Sequence, residues 1–146
     1  MYKRILVAVE HSKADRTILE HVQPLARMCG ATLVLLHVAD GWAARSYDEL
    51  KLRDSQEMQE DRAYLERVRE ELASKGFSVE TRLAKGDPAA EIIRAAEDLH
   101  IDLVAMATHG HRLISDLIRG TTVNRVRHEL EIPVLLLKAR GGGGAS

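Results

Sequence analysis

The chain of 146 residues sets 21 Lys and Arg against 22 Asp and Glu, for a net charge of −1, with 45% hydrophobic and 29% charged residues. That balance fits one globular domain and excludes a global basic field for nucleic acid, an acidic field for a basic partner, and the run of roughly 20 apolar residues that a membrane-embedded helix needs. The lone cysteine, Cys29, can close no internal disulfide, and the N-terminus enters a strand without an apolar leader, so the expected location is cytoplasmic.

In chain order, Ile5-Leu6-Val7-Ala8-Val9 predicts a buried strand and Glu10-His11-Ser12 the turn leaving its carboxyl end. Ser12 with Asp15 three residues on predicts a capping box, opening a helix whose Ile18, Leu19, Val22, Leu25, Ala26 and Cys29 recur at three-and-four spacing and which Gly30 ends. The apolar run 32–38, TLVLLHV, is a second strand, and strand-helix-strand at this length makes a right-handed parallel unit. After a connecting loop, the charged stretch 47–75 predicts a solvent-facing helix, broken or frayed before Gln56 and firm from there to Gly76. Residues 77–83 alternate apolar and polar, as an edge strand with one wet face does. Asp87 as N-cap and Pro88 at the first helical position open a helix with Ile92, Ile93, Ala96 and Leu99 inward. Residues 103–106 form a fourth strand, ATHG a turn, 121–130 a helix and 133–137 a fifth strand that starts at Pro133. The terminal GGGGAS, 141–146, reads as a disordered tail, which leaves 1–140 as a single domain. Five strands alternating with four helices imply an open, mostly parallel α/β sheet with helices on both faces.

The most informative stretch is 103–123, LVAMATHGHRLISDLIRGTTV, which passes from strand through a glycine-punctuated loop into a helix N-terminus. Gly110 and Gly120 let the backbone approach a ligand, and Thr121 and Thr122 add hydroxyls beside the free N–H groups and positive dipole end of the helix, a recipe for holding phosphate. The plainer alternative is that the two glycines only end a strand and start a helix. No G-x-S-x-G elbow appears, and Gly120 stands where a Walker loop would carry lysine before Thr121, so slow hydrolysis is the most that is expected and no catalytic residue is assigned.

The spacing Ala107-x2-Gly110-x9-Gly120-Thr121 resembles the nucleotide-binding signature of the universal stress protein family, Gly-x2-Gly-x9-Gly-Ser/Thr, with Ala107 in place of the first glycine. The resemblance extends from ILVAVE through GDPAAEIIRAAEDLHIDLVAMATHG to IPVLLLK. It implies a Rossmann-like sheet, akin to adenine nucleotide alpha hydrolases, in the strand order 3-2-1-4-5. The order then reverses between strands 1 and 4, where α/β sheets bind ligands. By resemblance, Ala8 and Val38 would offer backbone groups to adenine, and Glu10, where ATP-binding members usually carry Asp, would face the ribose. Met106 and Ala107 would border sugar and phosphates, and Gly110, Gly120, Thr121 and Thr122 would hold the phosphates. The implied ligand is ATP or another adenine nucleotide, with Mg²⁺ carried in on its phosphates.

His11, His37, His109 and His111 could all gather with Glu10 at the carboxyl edge, but no metal-ligand spacing supports a dedicated metal site, so the expectation is histidines that touch phosphate or water. Arg112, Arg119 and Arg125 are candidates for phosphate contact or plain solvated cations. By the same family resemblance, the functional expectation is a stress-response regulatory protein whose nucleotide biases its interaction with a protein client, such as a transporter. A nucleotide-free dimerisation module and a slow ATPase are the alternatives. The resemblance and the apolar last strand together imply a homodimer built through that strand.

Overall fold

The structure is a computed structural model that describes residues 1–39, 47–109 and 120–139, apart from the side chains of 47–55, 109 and 120. Its elements run β1 (Arg4–Ala8), α1 (Ala14–Cys29), β2 (Thr32–Ala39), α2 (Tyr47–Ser74), β3 (Val79–Lys85), α3 (Pro88–Asp98), β4 (Leu103–His109), α4 (Gly120–Glu129) and β5 (Val134–Ala139). All strand pairs are parallel, in the order β3-β2-β1-β4-β5. The chain thus has the α/β architecture, strand order included, that its sequence implies.

Alternation along the strands sends side chains to two separate cores. Ile5, Val7, Val9, Leu33 and Leu35 pack with Ile18 and Val22 of α1 and Leu65 and Leu72 of α2. On the opposite face Leu6, Ala8, Val34, Leu36 and Met106 pack with Ile92 and Ala96 of α3 and Val123 and Val126 of α4. Both faces of β1 are therefore dry, which explains the unbroken apolar run ILVAV.

Several boundaries differ from the sequence reading: β1 begins and ends one residue earlier, β5 begins after Pro133 and runs two residues further, and three larger differences have a physical cause. Helix α2 is continuous over 28 residues, so the break expected before Gln56 does not occur. Between Tyr47 and Ser74 there is neither glycine nor proline, and Glu, Leu, Lys, Arg, Gln and Met are good helix formers, so propensity carries the helix where a core-facing stripe is sparse. Strand β3 lies two residues further on than the alternating run, because its register with β2, from Leu33↔Val79 to Ala39↔Lys85, decides its limits. Strand β4 includes Ala107, Thr108 and His109, where the sequence predicts a turn. They pair with Leu137, Lys138 and Ala139 of β5, and the ladder overrides the weak local turn signal.

At the amino edge of the sheet, the Asp102 carboxylate accepts the N–H groups of Lys3 at 2.9 Å and Arg4 at 3.1 Å. The Arg4 guanidinium donates to the Leu99 carbonyl at 2.8 Å and to Glu80 at 2.9 Å, tying β1 to β3 and α3. Proline opens α3 as expected, with the Asp87 side chain accepting from the Ala90 N–H at 2.9 Å.

Candidate functional site

Parallel strands bring every carboxyl terminus to one edge, and the strand order reverses across β1, with β2 on one side and β4 on the other. Helix α4 runs back from that edge toward the start of β5, so its N-terminus lies on the carboxyl side. Ala8 ends β1, Val38 is the penultimate residue of β2, and Met106 and Ala107 lie in β4. Gly120, Thr121 and Thr122 form the first turn of α4, where backbone N–H groups have no partner within the helix. Ala8, Val38 and Met106 share one apolar cluster with Val123, which joins the three strand tips to that turn. Thr122 is buried and Thr121 exposed. Gly110, together with His111, Arg112 and Arg119, falls outside the described residues.

Ala107 is buried against Ala14 of α1 and Ala139 of β5. It is in regular strand, and the positive-φ residues outside glycine are His11 and His100 among those described. An alanine here needs no left-handed backbone, and its methyl fills a small-residue contact.

Glu10 is the most informative side chain. It stands just past β1 and is only 7% exposed, so it is not a solvated strand-end carboxylate. Its Oε1 lies 3.5 Å from Ser12 Oγ. The turn that carries it is held by Asp15, itself 3% exposed, whose carboxylate accepts the backbone N–H groups of Glu10 at 2.7 Å, His11 at 2.8 Å and Ser12 at 3.3 Å. The expected capping box is present in altered form. Asp15 reaches back to Ser12 and beyond, Ser12 Oγ accepts the Ala14 N–H at 3.2 Å, and regular helix starts at Ala14. His11 takes a left-handed backbone with φ of 62°, which costs a residue with a Cβ roughly 1–2 kcal/mol unless neighbours hold it.

Those neighbours come from α2, about 50 residues away along the chain. The Tyr64 hydroxyl donates to Asp15 Oδ2 at 2.6 Å, and its ring stacks on His11 with centroids 4.1 Å apart and planes 17° apart. Burial first, then the Asp15 carboxylate, push the Tyr64 phenol well above its ordinary pKa, so it remains a donor. Asp61 bridges two histidines, with Oδ1 2.9 Å from His11 Nδ1 and Oδ2 3.2 Å from His37 Nε2. His37 Nδ1 is 3.0 Å from the Val9 carbonyl, which can only accept, so that nitrogen carries a proton.

Two of the four histidines singled out from the sequence are thus engaged with a carboxylate, and no cluster suited to a metal ion exists among the described residues. Arg125, a candidate phosphate contact, instead pairs with Asp87 at 2.9 Å and Glu129 at 3.5 Å. A groove of about 1060 Å³ opens between α1 and α2, bordered by His11, Lys13, Arg16, Tyr64 and Arg67, on the outer side of the turn and not over the strand tips.

A profile of the universal stress protein family matches residues 1–138. Universal stress protein MJ0577 of Methanocaldococcus jannaschii is 26% identical over 160 aligned positions, covering 96% of this chain and 97% of that one. Its solved structure superposes with a TM-score of 0.82 at 28% identity, over 97% of this chain and 99% of the other. A universal stress protein of Archaeoglobus fulgidus, solved in complex with dAMP, shares the fold at a TM-score of 0.67 and 19% identity, covering 94% of this chain and 98% of its own. Another, solved in complex with cAMP, has a TM-score of 0.69 at 16% identity, covering 94% of this chain and 97% of that one. With the strand order, the matched length and these likenesses in agreement, the chain belongs to the universal stress protein family.

Proposed function

We propose that this stress-response protein binds an adenine nucleotide in the crevice between β1 and β4 and uses the bound state to bias an interaction with a protein client. The observation that carries this reading is the buried Glu10 carboxylate, held just past β1 at the point where the strand order reverses. Ligands of open α/β sheets occupy such points. Two proteins of the same fold were solved with dAMP and cAMP, which favours an adenine nucleotide as the class.

In this reading, backbone groups at Ala8 and Val38 meet adenine, Glu10 accepts hydrogen bonds from ribose hydroxyls, and Met106 and Ala107 line the sugar side. Gly110, Gly120, Thr121 and Thr122 hold the phosphates, those in α4 through first-turn N–H groups and hydroxyls. These donors suit an anion, and ATP with phosphate-bound Mg²⁺ is the proposed form. Turnover is not part of the reading, since Gly120 occupies the place of a Walker lysine. No helix among the described residues is long and apolar enough to cross a membrane, and the proposed setting is the cytoplasm, as a homodimer formed through β5.

Denaturing the purified protein and identifying the released nucleotide by mass spectrometry tests the reading, with Gly120→Val as the matched control. The expected result is an adenine nucleotide from the wild type and none from a folded Gly120→Val protein, because the added isopropyl group occupies the phosphate position. Nucleotide retained at the wild-type level by the variant would mean that the phosphates lie elsewhere.

A further inference from the structure

We propose that helix α2 is the positioning element of the site, acting through Asp61 and Tyr64 to fix the turn that presents Glu10. The inference rests on the nucleotide reading above for its functional consequence, but on geometry alone for its structural part.

Between Val9 and Ser12, one backbone carbonyl and three N–H groups are held by side chains. The Val9 carbonyl is held by His37 at 3.0 Å, and the N–H groups of Glu10 and His11 by Asp15 at 2.7 and 2.8 Å. Each of these holding groups is itself held from α2. Tyr64 donates to Asp15 at 2.6 Å, and Asp61 reaches His37 at 3.2 Å. The left-handed residue of the turn, His11, is gripped directly, by the Tyr64 ring at 4.1 Å and by Asp61 at 2.9 Å. Asp61 and Tyr64 are three residues apart, so both project from the same side of the helix. A single face of α2 thereby touches the support of Glu10 at four points, and a shift of α2 must move the turn or break those contacts.

The alternative is that the network only secures α2 to the sheet. That role already falls to Leu65 and Leu72, which are buried in the core. It also offers no reason for both carboxylate oxygens of Asp61 to reach residues at the tips of β1 and β2. The direction of coupling is reciprocal: a ligand that tightens the turn stiffens α2, and whatever displaces α2 releases the ligand.

The test uses Asp61→Ala, Asp61→Asn and Tyr64→Phe in the full chain. Amide hydrogen exchange followed by NMR needs no ligand. In Asp61→Ala the Glu10 and His11 amides should exchange at least about tenfold faster, with Leu35 and Val104 unchanged. Asparagine can accept from one histidine and donate to the other, so Asp61→Asn should restore slow exchange. Tyr64→Phe keeps the stacking but removes the hydroxyl that holds Asp15, so it should also speed exchange at Glu10 and His11. Calorimetry supplies the functional arm. ATP affinity should fall about three- to tenfold in Asp61→Ala and recover in Asp61→Asn, inorganic tripolyphosphate should bind equally to all, and Asp61→Ala added to Glu10→Ala should cause no further loss. Unchanged exchange at Glu10 and His11, or losses that add in the double variant, would overturn the proposal. If the wild type binds no nucleotide, the ligand reading falls, and the exchange rates alone decide whether α2 holds the turn.

Discussion

At the scale of single residues, Glu10 and Ala107 are the two departures from the family signature, and the structure treats them differently. The Ala107 methyl is absorbed by contact with Ala14 and Ala139 in a regular strand, where no positive φ is needed. Glu10 keeps a buried acceptor at the turn, one methylene longer than aspartate. Removing a charged hydrogen-bond acceptor costs about 1.5–3 kcal/mol, which is roughly ten- to hundredfold in affinity. Glu10→Ala should therefore weaken ATP by that factor and leave tripolyphosphate nearly untouched in calorimetric titrations. An equal loss for both ligands would show that the carboxylate acts by charge and does not read the sugar. The position of Glu10 was legible in the sequence because it follows an apolar strand directly. Its support was not: Asp61 and Tyr64 sit in a charged stretch about 50 residues away, and only folding brings them to His11 and Asp15.

At the scale of elements, the apolar runs and the glycine, proline and aspartate punctuation are enough to find the nine elements among the described residues. What they could not fix were ends decided by pairing. Strand β4 outlasts its apolar stretch because β5 continues beside it, and β3 is placed by β2 rather than by its own alternation. Helix α2 shows the converse, where good helix formers run through a stretch with little core-facing pattern. The tie between β1 and β3 yields a pH prediction. Its hydrogen bond to Arg4, more than burial opposes, holds the Glu80 carboxyl below the usual carboxylate range. A depressed carboxyl contributes stability that is fully present above its unfolded pKa and is lost as pH falls through the lower folded value. Because Glu80 is half exposed, the contribution is at most about 0.5 kcal/mol. Urea midpoints of wild type and Glu80→Gln should differ slightly at neutral pH and low salt, and converge both in strong acid and in high salt. A difference that persists in acid would assign the effect to packing of the side chain and not to its charge.

At the scale of the whole molecule, β5 is an edge strand whose Val134, Leu135, Leu136 and Leu137 are only half buried. An apolar edge with unpaired backbone groups invites a second copy, and a twofold pairing of β5 with itself would satisfy both at once. Successive side chains point to opposite faces, so Leu135→Lys and Leu136→Lys, made separately, test the two faces. Light scattering at micromolar concentration should give the mass of two chains for the wild type and a shift toward one chain in at least one variant. A one-chain mass for the wild type would remove the dimer, and a dimer indifferent to both changes would put the interface elsewhere. The sheet order has a further consequence, for the life of the protein in time. Strand β1 is completed on one side by β2, its near neighbour in sequence, and on the other by β4, with Ile5 beside Leu103. During synthesis the first half of the crevice can form early, but the second waits until most of the chain has emerged. A ligand seated between β1 and β4 therefore recognises only finished molecules. At about a hundred times its dissociation constant it would add roughly 2.7 kcal/mol against unfolding.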